Sequence, residues 1–220
     1  MEAVSDSSAE PRVRGFLHSP AHPTDGGLVL THGAGGNCQA KLLVALSNAF
    51  AEAGFAVLRC DLPFRQSRPF GPPFPAMAAR DRDGLQRAVE FIRKRARGKV
   101  FLGGHSYGGR QATMLTADSP GLADGLLLLS YPLHPPRKPT ELRTAHFPKL
   151  STRCLFVHGS RDPFGLLDEM NSALKLIPSE TRLMEVEGAG HDLLGKSSKS
   201  ELPKRIVAAF LDFLALPLPT

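Results

Sequence analysis

The chain has 220 residues, 42% hydrophobic and 22% charged, close to ordinary globular usage, and folding at this size buries about 70% of the unfolded surface. That allows a full core without disulfides or metal, and no run approaches the roughly 18 apolar residues of a membrane span. The net charge is +6, but basic residues are scattered among acidic ones with no nucleic-acid-binding module, so neither nucleic acid nor membrane is expected as a partner.

The first ten residues (MEAVSDSSAE) are polar and acidic, unlike a secretory leader. They read as a loose tail ahead of one domain over 11–220. A strand near 12–17 is expected to pair antiparallel at a sheet edge. From residue 27 strands and helices alternate: strands over 27–31, 55–60, 99–103, 125–130, 153–158 and 181–186, helices over 40–53, 77–97, 107–117, 165–176 and 201–214. Most of these strands are near-continuous apolar runs, the pattern of strands covered on both faces. The series predicts an α/β fold, a mostly parallel sheet of about six or seven strands with helices on both faces. Two proline-rich segments, 62–75 and 131–150, interrupt it after strand ends, where ligands bind in open sheets. The second is too short for a large cap domain.

Cys38, Cys60 and Cys154 are odd in number and lack paired spacing. Reduced, passive thiols and a cytoplasmic location are the default expectation. Arg65, Arg68, Arg137, Lys138, Arg143 and Arg161 fall in loops, which leaves an anionic substrate open.

The central signal is Gly104-His105-Ser106-Tyr107-Gly108, directly after one expected strand and before a helix. That is the strand–turn–helix setting of a nucleophile elbow, where glycines relieve crowding around the exposed serine. A serine hydroxyl needs a base. His191, in Gly188-Ala189-Gly190-His191, follows the expected strand 181–186 on a loop of small residues. Structural roles suit His32, His105 and His158 at strand ends, and His134 and His146 fall in the proline-rich loop. Asp162, after the strand 153–158, supplies the acid that fixes the histidine tautomer. Asp192 is the weaker competitor, being adjacent to the base. The oxyanion amides are expected from Tyr107 and from Ala34 in Thr31-His32-Gly33-Ala34-Gly35-Gly36-Asn37, with Gly33 and Gly35 as alternatives. No GKS/GKT ending and no GxGxxG stands in that loop, so no nucleotide cofactor is implied, nor a metal.

Together LTHGAGGN, GHSYGGR, SYPLHPP, LFVHGSRDPFG and GAGHD resemble the small α/β hydrolases of the testis-expressed and NSL-complex-subunit type, themselves similar to dienelactone hydrolases. The resemblance covers nearly all of the chain past residue 25. It implies the α/β-hydrolase fold and a triad of Ser106, Asp162 and His191. Dienelactone hydrolases carry cysteine where Ser106 stands. The expected reaction is hydrolysis of a carboxylic ester of a small molecule through an acyl-enzyme, by a monomer or homodimer. Phe64, Phe70, Leu133, His134 and Phe164 are expected to line a shallow pocket. A small peptidase and a non-catalytic interaction module retaining the fold are the rival readings.

Overall fold

The computed structural model describes residues 1–22, 26–96, 98–194 and 201–215. Among them eight strands form one sheet in the order β1-β2-β4-β3-β5-β6-β7-β8. The antiparallel edge is β1 (Glu2–Asp6) on β2 (Val13–His18), and β2 pairs antiparallel with β4 (Ala56–Cys60). The remainder is parallel: β4, β3 (Gly27–Thr31), β5 (Val100–His105), β6 (Gly125–Leu129), β7 (Cys154–Gly159) and β8 (Thr181–Val186). The expected loose tail is therefore corrected over residues 2–6, which add an eighth strand outside the one expected to hold the edge. Edge pairing needs only backbone partners, so a polar, mostly exposed stretch can take it.

Among the described residues six α-helices flank the sheet: α1 (Lys41–Glu52), α2 (Pro63–Ser67), α3 (Ala78–Arg93), α4 (Tyr107–Asp118), α5 (Leu167–Leu174) and α6 (Leu202–Phe213). Alternate strand residues sort into two cores, as the period of two dictates. Val29, Leu58, Leu102, Leu128 and Phe156 face α3, α4 and α5, packing with Val89, Ile92, Ala112 and Met170. Leu28, Val57, Phe101, Leu127 and Leu155 face α1 and α6, packing with Leu43, Leu46, Ile206 and Phe210. The helix expected over 77–97 stops at Arg93, and Arg97 lies outside the described residues.

Both interrupting segments are folded rather than open. Within 62–75, Pro63 begins α2, where a fixed φ suits the first helical position, and the Asp81 carboxylate accepts the Phe64 N–H at 2.9 Å. Within 131–150, Tyr131, Leu133, Phe147 and Leu150 are buried, and the Tyr131 hydroxyl donates to the Arg143 carbonyl at 2.8 Å. This excursion adds to the core and forms no cap. The three cysteines are buried and unpaired, and burial pushes the Cys38 thiol up to about 12.

Candidate active site

Strands β3, β5, β7 and β8 run parallel, so the loops leaving their C-terminal ends meet at one edge of the sheet. They carry residues 32–36, Ser106, Asp162 and His191 respectively.

Ser106 sits between β5 and α4 with φ 51° and ψ −115°, a left-handed backbone rare for a residue with a Cβ. Its amide donates to the Leu129 carbonyl at 2.8 Å, and its carbonyl accepts from the Arg110 amide at 3.0 Å. The turn closes only because its flanks are glycine. A Cβ on Gly104 would lie 2.6 Å from backbone atoms of Gly108 and Gly109, and one on Gly108 would lie 2.6 Å from the His32 carbonyl oxygen. The strain therefore stays in place, and it presents the Oγ at the tip of the turn.

His191 Nε2 lies 2.8 Å from Ser106 Oγ, and His191 Nδ1 lies 2.8 Å from Asp162 Oδ2. Asp162 is fully buried, and its Oδ1 accepts the Phe164 N–H at 2.9 Å. Asp192 is exposed on the rim. The His191 loop is fixed from beneath, since His105 Nε2 donates to the His191 carbonyl at 2.8 Å. Phe164 packs over the His191 ring with centroids 4.2 Å apart. Burial pushes His105 below the ordinary histidine range. His105 stays neutral near pH 7 and serves as an anchor rather than a second base.

Tyr107 is the first residue of α4, where amides have no acceptor within the helix and the macrodipole favours negative charge. Its side chain points the other way. The hydroxyl donates to Asp81 at 2.8 Å, and the ring meets Phe64 edge-on at 5.7 Å. Burial raises the Asp81 carboxyl and the Tyr107 phenol above their usual values. Asp81 thus ties α3 to both α2 and the elbow, a role the sequence did not reveal. On the facing loop His32 donates from Nδ1 to the Gly33 carbonyl at 2.8 Å and accepts the Leu62 amide at Nε2 at 3.1 Å. Burial lowers His32 to about 4, so it holds this neutral tautomer.

A cavity of about 680 Å³ opens beside Ser106 and His191. Its walls are residues 33–36, Phe164, the first turn of α1 (Lys41, Leu42, Leu43) and the rim residues Asp192 and Leu194. Of the five residues expected to line the pocket, Phe164 does so. Phe64 is buried between His32 and Tyr107, and Leu133 is buried against Gly165. His134 turns to Glu169 at 3.2 Å, and Phe70 is 82% exposed, away from the cavity wall. The cavity lies on the α1 side instead. Arg65, grouped on sequence with residues open to anionic substrates, is 4% exposed and bonded to backbone carbonyls. Among the described residues no group of three or more His, Cys, Asp and Glu side chains is arranged to hold a metal ion.

A family model described as an alpha/beta hydrolase domain matches residues 24–213. Among solved structures, Est1E from Butyrivibrio proteoclasticus with ferulic acid bound aligns at a TM-score of 0.79 and 16% identity, over 97% of this chain and 100% of that one. A dienelactone hydrolase from Anabaena variabilis gives 0.74 at 20% identity, covering 96% and 95%. A serine hydrolase without lid from Xanthomonas campestris gives 0.74 at 15% identity, covering 99% and 96%. At these identities the likeness is one of fold.

Proposed function

The chain belongs to the alpha/beta hydrolase domain family, and from that premise we propose that it is a serine hydrolase cleaving carboxylic esters of small molecules. The observation that carries the reading is the relay Ser106 Oγ, His191 Nε2, His191 Nδ1, Asp162 Oδ2, with both contacts at 2.8 Å and the serine open to a cavity.

In this reading Ser106 Oγ attacks the ester carbonyl while His191 Nε2 takes its proton. Asp162 accepts the Nδ1–H, holds the tautomer and offsets the charge of the imidazolium. The amides of Tyr107 and Ala34 receive the developing oxyanion. His191 returns the proton to the departing alkoxide, leaving the acyl group on Ser106. Water then attacks with the same base assisting, and the acid departs. The cavity is within the roughly 300–1,000 Å³ range of small-molecule sites. Its Leu42, Leu43, Leu194 and Phe164 walls suit an apolar acyl or alcohol group.

The test is fluorophosphonate labelling with turnover of a simple ester. Ser106→Ala is expected to lose both while keeping its far-UV dichroism. Labelling of the variant at the parent's rate would remove Ser106 from the role.

A further inference from the structure

The loop that carries the second oxyanion amide has little side-chain packing of its own. A Cβ on Gly35 would meet nothing within 4 Å, so that position faces open space. On its other side the loop presses on the nucleophile, where a Cβ on Gly33 would stand 3.3 Å from Ser106 Cβ. What holds the loop is bonding to its carbonyls from behind. The Gly33 carbonyl is taken by His32 Nδ1 at 2.8 Å and by the Gly36 amide at 3.1 Å. The next ones are taken by Arg65: Nη2 donates to the Ala34 carbonyl at 2.8 Å, and Nε to the Gly36 carbonyl at 2.7 Å. The same guanidinium reaches the Gly71 carbonyl at 2.9 Å and the Arg68 carbonyl at 3.1 Å.

A buried guanidinium costs several kcal/mol unless its donors are used. Here they are spent on four carbonyls from two loops, a match to its fork that no other side chain has. A trans peptide is planar, so a carbonyl aimed at Arg65 sends the N–H of the following residue the opposite way. The charged donor also polarises that peptide, which makes its N–H a better donor in turn.

We propose that Arg65 is the positioning residue of the oxyanion loop: it holds the Ala34–Gly35 peptide, on the C-terminal side of the Ala34 amide, and so fixes both the backbone at Ala34 and the Gly35 N–H at the cavity wall. Through Gly71 and Arg68 it links that orientation to the proline-rich 68–75 segment. The inference rests on the serine-hydrolase reading above.

Arg65→Lys keeps the charge with one nitrogen, and Arg65→Gln keeps donors without charge. Both are compared with the parent for kcat, KM, the acid limb of the rate, and the preference for an oxo-ester over the matching thiono-ester. Sulfur is the poorer acceptor, so that preference reads the oxyanion contacts. The expected result is a fall in kcat of at least about tenfold with KM within about threefold. The oxo-ester preference should shrink and the acid limb stay in place, with Arg65→Lys the milder variant. Unchanged kcat and preference, or a loss that tracks only the folded fraction, would overturn the proposal. So would failure of both variants to fold, which would make Arg65 a core residue alone. A parent protein without Ser106-dependent turnover sinks the hydrolase reading first; a parent that turns over beside indifferent Arg65 variants sinks this inference alone.

Discussion

Asp162 and Asp192 flank one histidine and stand in opposite environments. Asp162 is fully buried and bonded to Nδ1, whereas Asp192 is exposed on the cavity rim. Asp162→Asn should lower kcat at least about a hundredfold, because an amide supports neither the tautomer nor the imidazolium. Asp192→Asn should change it far less, and steady-state kinetics with the reverse ranking would move the acid. In the proposed mechanism His191 must be neutral to accept the serine proton, so the rate is expected to fall on acidification, and His191→Gln should remove this limb together with most of the rate. His134→Gln should leave the limb in place, since His134 is engaged with Glu169. The residues of the relay were legible in the sequence because each sits in a loop leaving the C-terminal end of an expected strand. Asp81 and Arg65 were not, because no motif surrounds them and their partners at Phe64 and Ala34 are a backbone amide and a backbone carbonyl, which carry no side-chain signal. The pocket residues were illegible for a related reason. Which way Phe64 faces is set by α2, whose amide partner comes from α3.

The elbow leaves no room for a side chain at its flanks. Gly104→Ala would drive a methyl to 2.6 Å from the backbone of Gly108 and Gly109, so strand and helix must part. A loss of about 1–3 kcal/mol or more is expected, read as a lower midpoint in urea. Gly35→Ala meets open space and should leave that midpoint nearly unchanged. Of the parallel strands, β3 to β7 were legible as continuous apolar runs, since both faces are covered. Strand β1 was not, because an edge strand's pairing lies in its backbone and its side chains, Glu2 to Asp6, carry no apolar alternation. Helix α2 was hidden for a different reason. Five residues, with a proline at the first, are too few to show a helical period.

At the scale of the whole molecule, five histidines titrate below their ordinary value of 6.5, each chiefly through burial: His18, His32, His105, His146 and His158. His32 and His146 fall to about 4. Their unfolded forms bind protons that the folded forms refuse. Stability from this source is thus complete above about 6.5 and is lost as the pH falls through 4. Tm should drop on the order of 5–10 °C between pH 7 and 4.5, and His146→Gln should flatten the slope in scanning calorimetry. Rates in acid therefore need dichroism alongside them, to separate protonation of His191 from unfolding. Substrate size also belongs to this scale. With Tyr131, Leu133, Phe147 and Leu150 turned into the core, none of the described residues caps the cavity to enclose a long chain. Esters of short acids should be turned over better than those of long ones, each methylene adding on the order of 1 kcal/mol only while it fits. A kcat/KM that climbs steadily to long-chain esters would contradict this.

The separation of 85 positions between Ser106 and His191 also bears on synthesis. On the ribosome Ser106 emerges well before His191, its base in the proposed mechanism, and β8 must dock on β7 before the two can meet. A chain stalled before His191 is then expected to be chemically silent, its serine lacking the base that would activate it. Covalent labelling of Ser106 then reports more than catalysis: it counts the molecules whose β8 edge has finished folding.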